Sequence, residues 1–237
     1  MENRKSRSHL FLVFHIVGAL LGLTLTLLAT WADLESTFYA YDFRASAPFN
    51  GMNCPILMTA NETNSFSAKI TNTTDKKLSF SIKAEISSRL LPISSLQVIE
   101  LQPGESKTLE WKIGPENIDL KYFIFGKVLV YGSYPIPNRE ATCGVFIVNL
   151  PTNGTVITWA LVILSLLGMG VGLFGMNRIQ YSARSATDTP RPLVFLSILV
   201  IAGLITSFTG WWIQGILIIV ISVLLIGIAL GIILNRG

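Results

Sequence analysis

Hydrophobic positions in this chain follow two patterns, long uninterrupted runs near both ends and short alternating runs between them. Uninterrupted apolar runs occupy residues 10–31, 156–176, 193–209 and 213–234, and none of them contains Asp, Glu, Lys or Arg. About 20 consecutive apolar residues are enough to cross the hydrocarbon core of a bilayer as a helix. The pattern therefore predicts four transmembrane helices.

The block at residues 33–152, between the first and second apolar runs, has the pattern of strands. Polar and apolar residues alternate in 65–70 and 78–84, which places one face of each segment inward and one in water. Turn-forming residues separate the runs. We predict seven strands at residues 36–43, 65–71, 78–86, 96–101, 107–113, 122–131 and 142–148. Seven short strands at this spacing predict an antiparallel β-sandwich of immunoglobulin-like (Ig-like) type, inserted between helices 1 and 2.

Charge distribution predicts the orientation in the membrane. Only 14% of the 237 residues are charged and the mean hydropathy is +0.56, as in membrane proteins. Residues 33–155 carry eleven Lys or Arg against twelve Asp or Glu, whereas the residues outside this block carry seven against two. Basic residues mark cytoplasmic segments. We therefore expect residues 1–9, 177–192 and the C-terminus in the cytoplasm and 33–155 outside it, in a multi-pass cell-membrane protein that contacts lipid and has no nucleic-acid partner.

The first apolar run has an alternative interpretation as a cleaved signal peptide. Thr30-Trp31-Ala32 resembles a small-x-small cleavage site, although the run is longer than the usual signal core. Both interpretations place Asp33 outside the cytoplasm.

Two turns in the block resemble those of a known family. The segment from Asn64 to Asp75 ends in Asn-Thr-Thr-Asp, and the segment from Val98 to Leu109 contains Leu-Gln-Pro-Gly-Glu-Ser. This resembles bacterial and archaeal surface Ig-like modules of the CARDB or NEW3 kind, over roughly half of the block. The resemblance implies a β-sandwich with an accessory, adhesive or spacer role and carries over no catalytic residues.

The two cysteines, Cys54 and Cys143, both lie in the block. An even number of cysteines in an oxidising compartment predicts one disulfide. Free thiols or a metal pair are the alternatives, but the only histidines, His9 and His15, belong to the first segment and would not complete a metal site. We expect no metal and no cofactor.

Recognition residues are expected in the connection between the last two strands. Tyr134 and Arg139 belong to residue types that are enriched in binding hot spots, and Pro135 and Pro137 stiffen the backbone between them. A rigid hairpin connection without a binding role is the alternative. We predict partner binding at Tyr134 and Arg139.

Small residues and one histidine lie within the apolar runs. Glycines recur at four-residue spacing in Gly18 and Gly22, Gly168 and Gly172, and Gly227 and Gly231. Such spacing lets helix backbones approach closely, either within one chain or between subunits, and we favour packing within the chain. His15 is expected to be a neutral interhelical hydrogen-bond donor, and proton or ligand chemistry is the alternative.

Three segments match the glycosylation sequon, at Asn61, Asn72 and Asn153, but we favour their interpretation as turn residues. No catalytic constellation is found, so we expect a protein that is not an enzyme. The predicted function is display of an Ig-like domain for protein interaction, as an accessory or scaffold subunit of a membrane or surface complex. A transporter or channel component using the four helices is the alternative, although ion coupling normally needs charges in the membrane.

Overall fold

A computed structural model describes residues 2–39, 45, 47–132, 137–181 and 191–234. Helix α1 is Glu2–Phe38, α2 is Gly154–Tyr181, α3 is Arg191–Thr209 and α4 is Trp212–Leu234. The strands, all between α1 and α2, are β1 Ala47–Pro48, β2 Met52–Asn53, β3 Leu57–Thr59, β4 Asn64–Thr71, β5 Leu78–Ile86, β6 Ile93–Leu101, β7 Ser106–Ile113, β8 Phe123–Tyr131 and β9 Arg139–Val148. The chain divides into two compact units, one of Met1–Thr30 with Thr158–Gly237 and one of Trp31–Ile157.

The unit Trp31–Ile157 contains two sheets that enclose a common core. One sheet has the order β1-β9-β8-β5-β6, with β3 also paired to β9, and the other has the order β2-β4-β7. The main strands pair antiparallel, whereas β1 and β3 run parallel to β9. Alternate residues of the strands fill the core, which includes Phe66, Phe80, Ile82, Trp111, Ile124, Val128 and Val145. The predicted antiparallel β-sandwich is therefore confirmed.

Strand β8 is buried on both faces, which its largely apolar sequence requires. Ile124 and Val128 face the core between the sheets. On the opposite face, Phe123 and Phe125 pack against Ala32 of α1 and against Tyr39. The C-terminal end of α1 thus covers the outer face of the larger sheet.

The expected first strand at residues 36–43 is wrong over its helical part, because α1 continues to Phe38. Burial of this segment against the sheet outweighs its strand-like alternation, since Ala32 and Ser36 are fully buried. Residues 40–43 of the expected strand lie outside the described residues. The sequence pattern also missed β1, β2 and β3, whose two or three residues are too few to show alternation.

The two turns that carry the family resemblance bond to each other. The Gly104 N–H donates to the carbonyl of Asn72, and the Asn72 N–H donates to the carbonyl of Glu105, both at 2.9 Å. The buried Asn72 side chain donates to the carbonyls of Lys76 and Leu101. Asn72 is therefore a structural turn residue, and its amide nitrogen is not accessible as a glycan acceptor.

The other unit is helical. By length and composition, three helical segments in the described residues could cross a membrane, namely His9–Phe38, Gly154–Arg178 and Pro192–Thr209. In α4 the segment Trp212–Gly227 is also apolar but shorter. Long apolar helices compatible with membrane insertion are thus present.

Candidate recognition site in the sandwich

Arg139, one of the two predicted recognition residues, is the first residue of β9 and pairs with Val130 of β8. Tyr134 lies outside the described residues, so its predicted role is not tested. The Asn72–Asp75 turn, the Gln102–Glu105 turn and the start of β9 lie at one end of the sandwich, which we call the Arg139 end. Loops that connect the strands of a sandwich commonly carry its binding residues.

A cavity of about 360 Å³ opens at the Arg139 end. Segments from both sheets and from the connection before β2 line it: Phe49, Asn50, Gly51, Lys69, Ile70, Thr71, Thr73, Phe80, Val130, Pro137 and Arg139. The Lys69 N–H donates to the carbonyl of Gly51 at 2.8 Å, which holds that connection against β4. Apolar side chains, including Phe49 and Phe80, are thus among the lining residues of the cavity.

Two cations, Lys69 and Arg139, line this cavity, and no carboxylate is among its described lining residues. The neighbouring Glu140 is engaged elsewhere, with Lys127 Nζ at 3.3 Å and the Ala45 N–H at 2.8 Å. A guanidinium offers paired donors that match a carboxylate, and an ammonium adds a point charge. The cavity is thus suited to an acidic group. Sequence reasoning missed Lys69, which lies 70 positions from Arg139.

Cys54 and Cys143 form a disulfide, which confirms the predicted pairing. Cys54 directly follows β2 of the smaller sheet, whereas Cys143 lies within β9 of the larger one. The bridge joins residues 89 positions apart in the sequence. Closing so long a loop restricts the unfolded chain and stabilises the fold by roughly 4–5 kcal/mol in the chain-entropy model.

Hydrogen bonds hold the end of α1 on the sandwich within the unit Trp31–Ile157. The Gly144 N–H donates to Asp33 Oδ1 at 3.1 Å, and the Tyr39 hydroxyl donates to Asp119 Oδ2 at 2.7 Å. Burial and the adjacent Asp119 carboxylate raise the pKa of Tyr39 above its ordinary value, so the phenol remains a donor. Sequence reasoning assigned no role to Asp33 or Tyr39, because their partners lie 111 and 80 positions away.

Four of the six predicted packing glycines lie where α1 and α2 approach closely. A Cβ atom at Gly18 would lie 2.6 Å from the backbone nitrogen of Met169, and one at Gly168 would lie 3.0 Å from Gly18 Cα. A Cβ at Gly22 would meet Ser165 Oγ at 2.6 Å, and one at Gly172 would meet His15 Cβ at 2.5 Å. No side chain fits at these positions without movement.

The third predicted glycine pair, Gly227 and Gly231, does not show such a close approach in the described residues. In the described part of the chain, no atom lies within 4 Å of a Cβ built at Gly227. The surroundings of Gly231 lie outside the description. Gly227 therefore does not take part in the helix contacts described.

His15 is fully buried between helices, and its Nδ1 lies 3.4 Å from the carbonyl of Met169 on α2. This position matches the expected interhelical contact, at the long limit of hydrogen bonding. Among the described residues, no three His, Cys, Asp or Glu side chains group as metal ligands would.

Comparisons with known proteins give no family. No family model matches the sequence, and none of the curated proteins matches it. Among solved structures, the CARDB domain of a Pyrococcus furiosus protein, solved with di-metal ions, is similar at 16% identity and a TM-score of 0.34, over 46% of this chain and 99% of that one. A Bacteroides uniformis β-glucuronidase is similar at 12% identity and a TM-score of 0.33, over 40% of this chain and 13% of the enzyme. A Listeria innocua β-glucosidase is similar at 16% identity and a TM-score of 0.28, over 40% of this chain and 15% of the enzyme.

Proposed function

We propose that this chain is a multi-pass membrane protein without catalytic activity that displays an Ig-like sandwich outside the cytoplasm and binds a protein partner through it. In this role it is an accessory or scaffold subunit of a membrane or surface complex. Helices α1 to α4 anchor the sandwich, with residues 1–9 and 177–192 in the cytoplasm. The Arg139 end is the binding surface.

Strand order supports the Ig-like part of the proposal. The order β9-β8-β5 in one sheet and β2-β4-β7 in the other corresponds to strands G-F-C and A-B-E of Ig-like sandwiches. The parallel pairing of β3 with β9 corresponds to the split first strand of such domains. The disulfide departs from the antibody pattern, because it joins the segment after β2 to β9 rather than strands B and F.

The observation that carries the binding role is the presence of Lys69 and Arg139 among the residues that line one open cavity, with no carboxylate among its described lining residues. Two cations held by different strands attract an acidic group. We therefore propose a partner that presents an acidic side chain or a terminal carboxylate. Tyr134 remains a predicted contributor from the neighbouring connection.

The test compares proteins that co-purify with the full-length chain after mild detergent extraction. Lys69→Ala and Arg139→Ala should each reduce recovery of the partner roughly tenfold or more, as expected for charged hot-spot residues. Lys112→Ala is the matched control, because Lys112 is likewise an exposed lysine of the smaller sheet but does not line the cavity. The control should recover the partner as the wild type does.

An unchanged set of co-purifying proteins in both cavity variants would reject this binding surface. Solute flux catalysed by the purified chain alone in liposomes would instead favour the transporter alternative. Intact melting behaviour in all three variants is needed to exclude unfolding as the cause.

A further inference from the structure

Large apolar side chains are exposed at the end of the sandwich opposite to the Arg139 end. Leu90 and Leu91 lie between β5 and β6 and are 93% and 77% exposed. Leu120 and Tyr122, just before β8, are 58% and 55% exposed, and Leu150, just after β9, is 51% exposed. Scattered single apolar residues are ordinary on a protein surface, but a group from three connections at one end indicates contact with another apolar phase.

These connections are held in place by specific bonds. Ser87 Oγ donates to the carbonyl of Asn117 at 2.7 Å, and Asn117 Nδ2 donates to the carbonyl of Ser87 at 3.1 Å. The next turn has two consecutive left-handed residues that are not glycine, Leu120 at φ 47° and Lys121 at φ 67°. Such backbone is unfavourable for side-chain-bearing residues and persists only where the surroundings impose it. The leucines are thus displayed by a fixed framework.

The same end holds the residues at which the chain leaves and re-enters its apolar helices. Trp31, at the end of the first apolar run, packs its ring 5.4 Å from Phe123 and 5.9 Å from Phe146. Gly154, the first residue of α2, donates its N–H to Glu62 Oε2 at 2.7 Å. Because both attachment points lie at this end, which we call the Trp31 end, it is the part of the sandwich nearest in sequence to both membrane-spanning segments.

We propose that the Trp31 end is a lipid-binding surface whose leucines enter the interfacial layer of the bilayer that holds the chain. The inference rests on the membrane-spanning part of the proposed function. Trp31 and Tyr122, both partly exposed aromatics with a polar group, suit the boundary between headgroups and acyl chains. The occupant is therefore phospholipid.

Charge assists this contact only weakly. Arg89 and Lys121 adjoin the exposed leucines and can reach lipid phosphates, but the exposed carboxylate of Glu116 lies at the same end. Apolar insertion must then supply most of the attraction. Binding should consequently occur with zwitterionic lipid and need no anionic lipid.

The test places a nitroxide spin label at one introduced cysteine in the full-length chain, reconstituted as single molecules in phosphatidylcholine nanodiscs. Labels at Leu90→Cys and Leu120→Cys should show an oxygen-to-nickel collision ratio several-fold higher than a label at Leu96→Cys. Leu96 is the matched control, because it is a leucine exposed to 66% within edge strand β6 and does not belong to the connections at this end. A further label at Leu164→Cys, on an exposed position of α2, reports membrane insertion itself.

Each outcome decides the proposal. High oxygen-to-nickel collision ratios for labels at Leu90, Leu120 and Leu164 support the proposal. These ratios should stay the same when phosphatidylglycerol is added to the nanodiscs. A high ratio at Leu164 with Leu90 and Leu120 equal to Leu96 overturns the lipid surface but leaves the membrane protein intact. A low ratio at Leu164 overturns both. Labels at Leu90 and Leu120 shielded from oxygen and nickel alike would indicate burial against protein and also reject lipid contact.

Discussion

Helix α1 approaches the larger sheet closely at Gly144. A Cβ atom there would lie 1.9 Å from the carbonyl oxygen of Ala32 and 2.9 Å from its Cα, so no side chain fits without moving the helix backbone. The Gly144 N–H also donates to Asp33. One backbone position thus provides both the space and the hydrogen bond that dock the end of α1.

We predict that Gly144→Ala destabilises the sandwich by about 2–3 kcal/mol, because the added methyl group overpacks a contact between two backbones. The matched control is Gly126→Ala on the neighbouring strand β8, where the atoms nearest to the new Cβ belong to the side chains of Phe66 and Met52, at 3.3 and 3.4 Å. Those side chains can shift, so the control should cost under about 1 kcal/mol. Thermal unfolding of the full-length chain in detergent, followed by near-ultraviolet circular dichroism, measures both, and equal melting temperatures would contradict the docking role of Gly144.

Helices α1 and α2 approach each other closely at small residues. Gly18 and Gly168 face each other at a distance that excludes a Cβ atom, and Gly22 and Gly172 extend the contact along α1 and α2. In lipid, burial of apolar surface does not drive helix association, so close van der Waals packing must do so. The glycine spacing therefore has a definite structural use in this pair of helices.

We predict that Gly18→Leu lowers the unfolding temperature of the helical unit, whereas Gly227→Leu, which adds the same side chain to the same type of motif, leaves it unchanged. The physical difference is the backbone contact at 2.6 Å at Gly18 and the open space at Gly227. The unfolding temperatures of the two variants in detergent can be compared by far-ultraviolet circular dichroism. Equal losses of stability would contradict the assignment, and loss of a co-purifying chain only in Gly227→Leu would assign that glycine to subunit assembly.

Local pattern was enough to predict the long elements but not the contacts between distant ones. The alternation in 78–86 defined β5, and the even cysteine count in an oxidising compartment gave the Cys54–Cys143 bridge. The end of α1 was misplaced, because its burial depends on Ala32 meeting Phe125, a residue 93 positions later. Lys69 was missed for the same reason, since only the sandwich topology brings it to the cavity that Arg139 also lines.

At the scale of the whole molecule, the proposed function requires the sandwich and the basic connection 177–192 to lie on opposite sides of the membrane. The wild-type chain should not react with thiol reagents, because its two cysteines, Cys54 and Cys143, are bonded to each other. A single introduced cysteine then reports the side on which its position lies. Asp75 is an exposed residue of the turn after β4 and suits the sandwich, while Ser6 and Ser185 represent the two segments expected in the cytoplasm.

Labelling intact cells with a membrane-impermeant maleimide tests this arrangement most directly. We predict that Asp75→Cys reacts in intact cells, and that Ser6→Cys and Ser185→Cys react only after the membrane is permeabilised, because the basic residues around them retain both segments in the cytoplasm. Reaction of Ser185→Cys in intact cells to the same extent as Asp75→Cys would contradict the account.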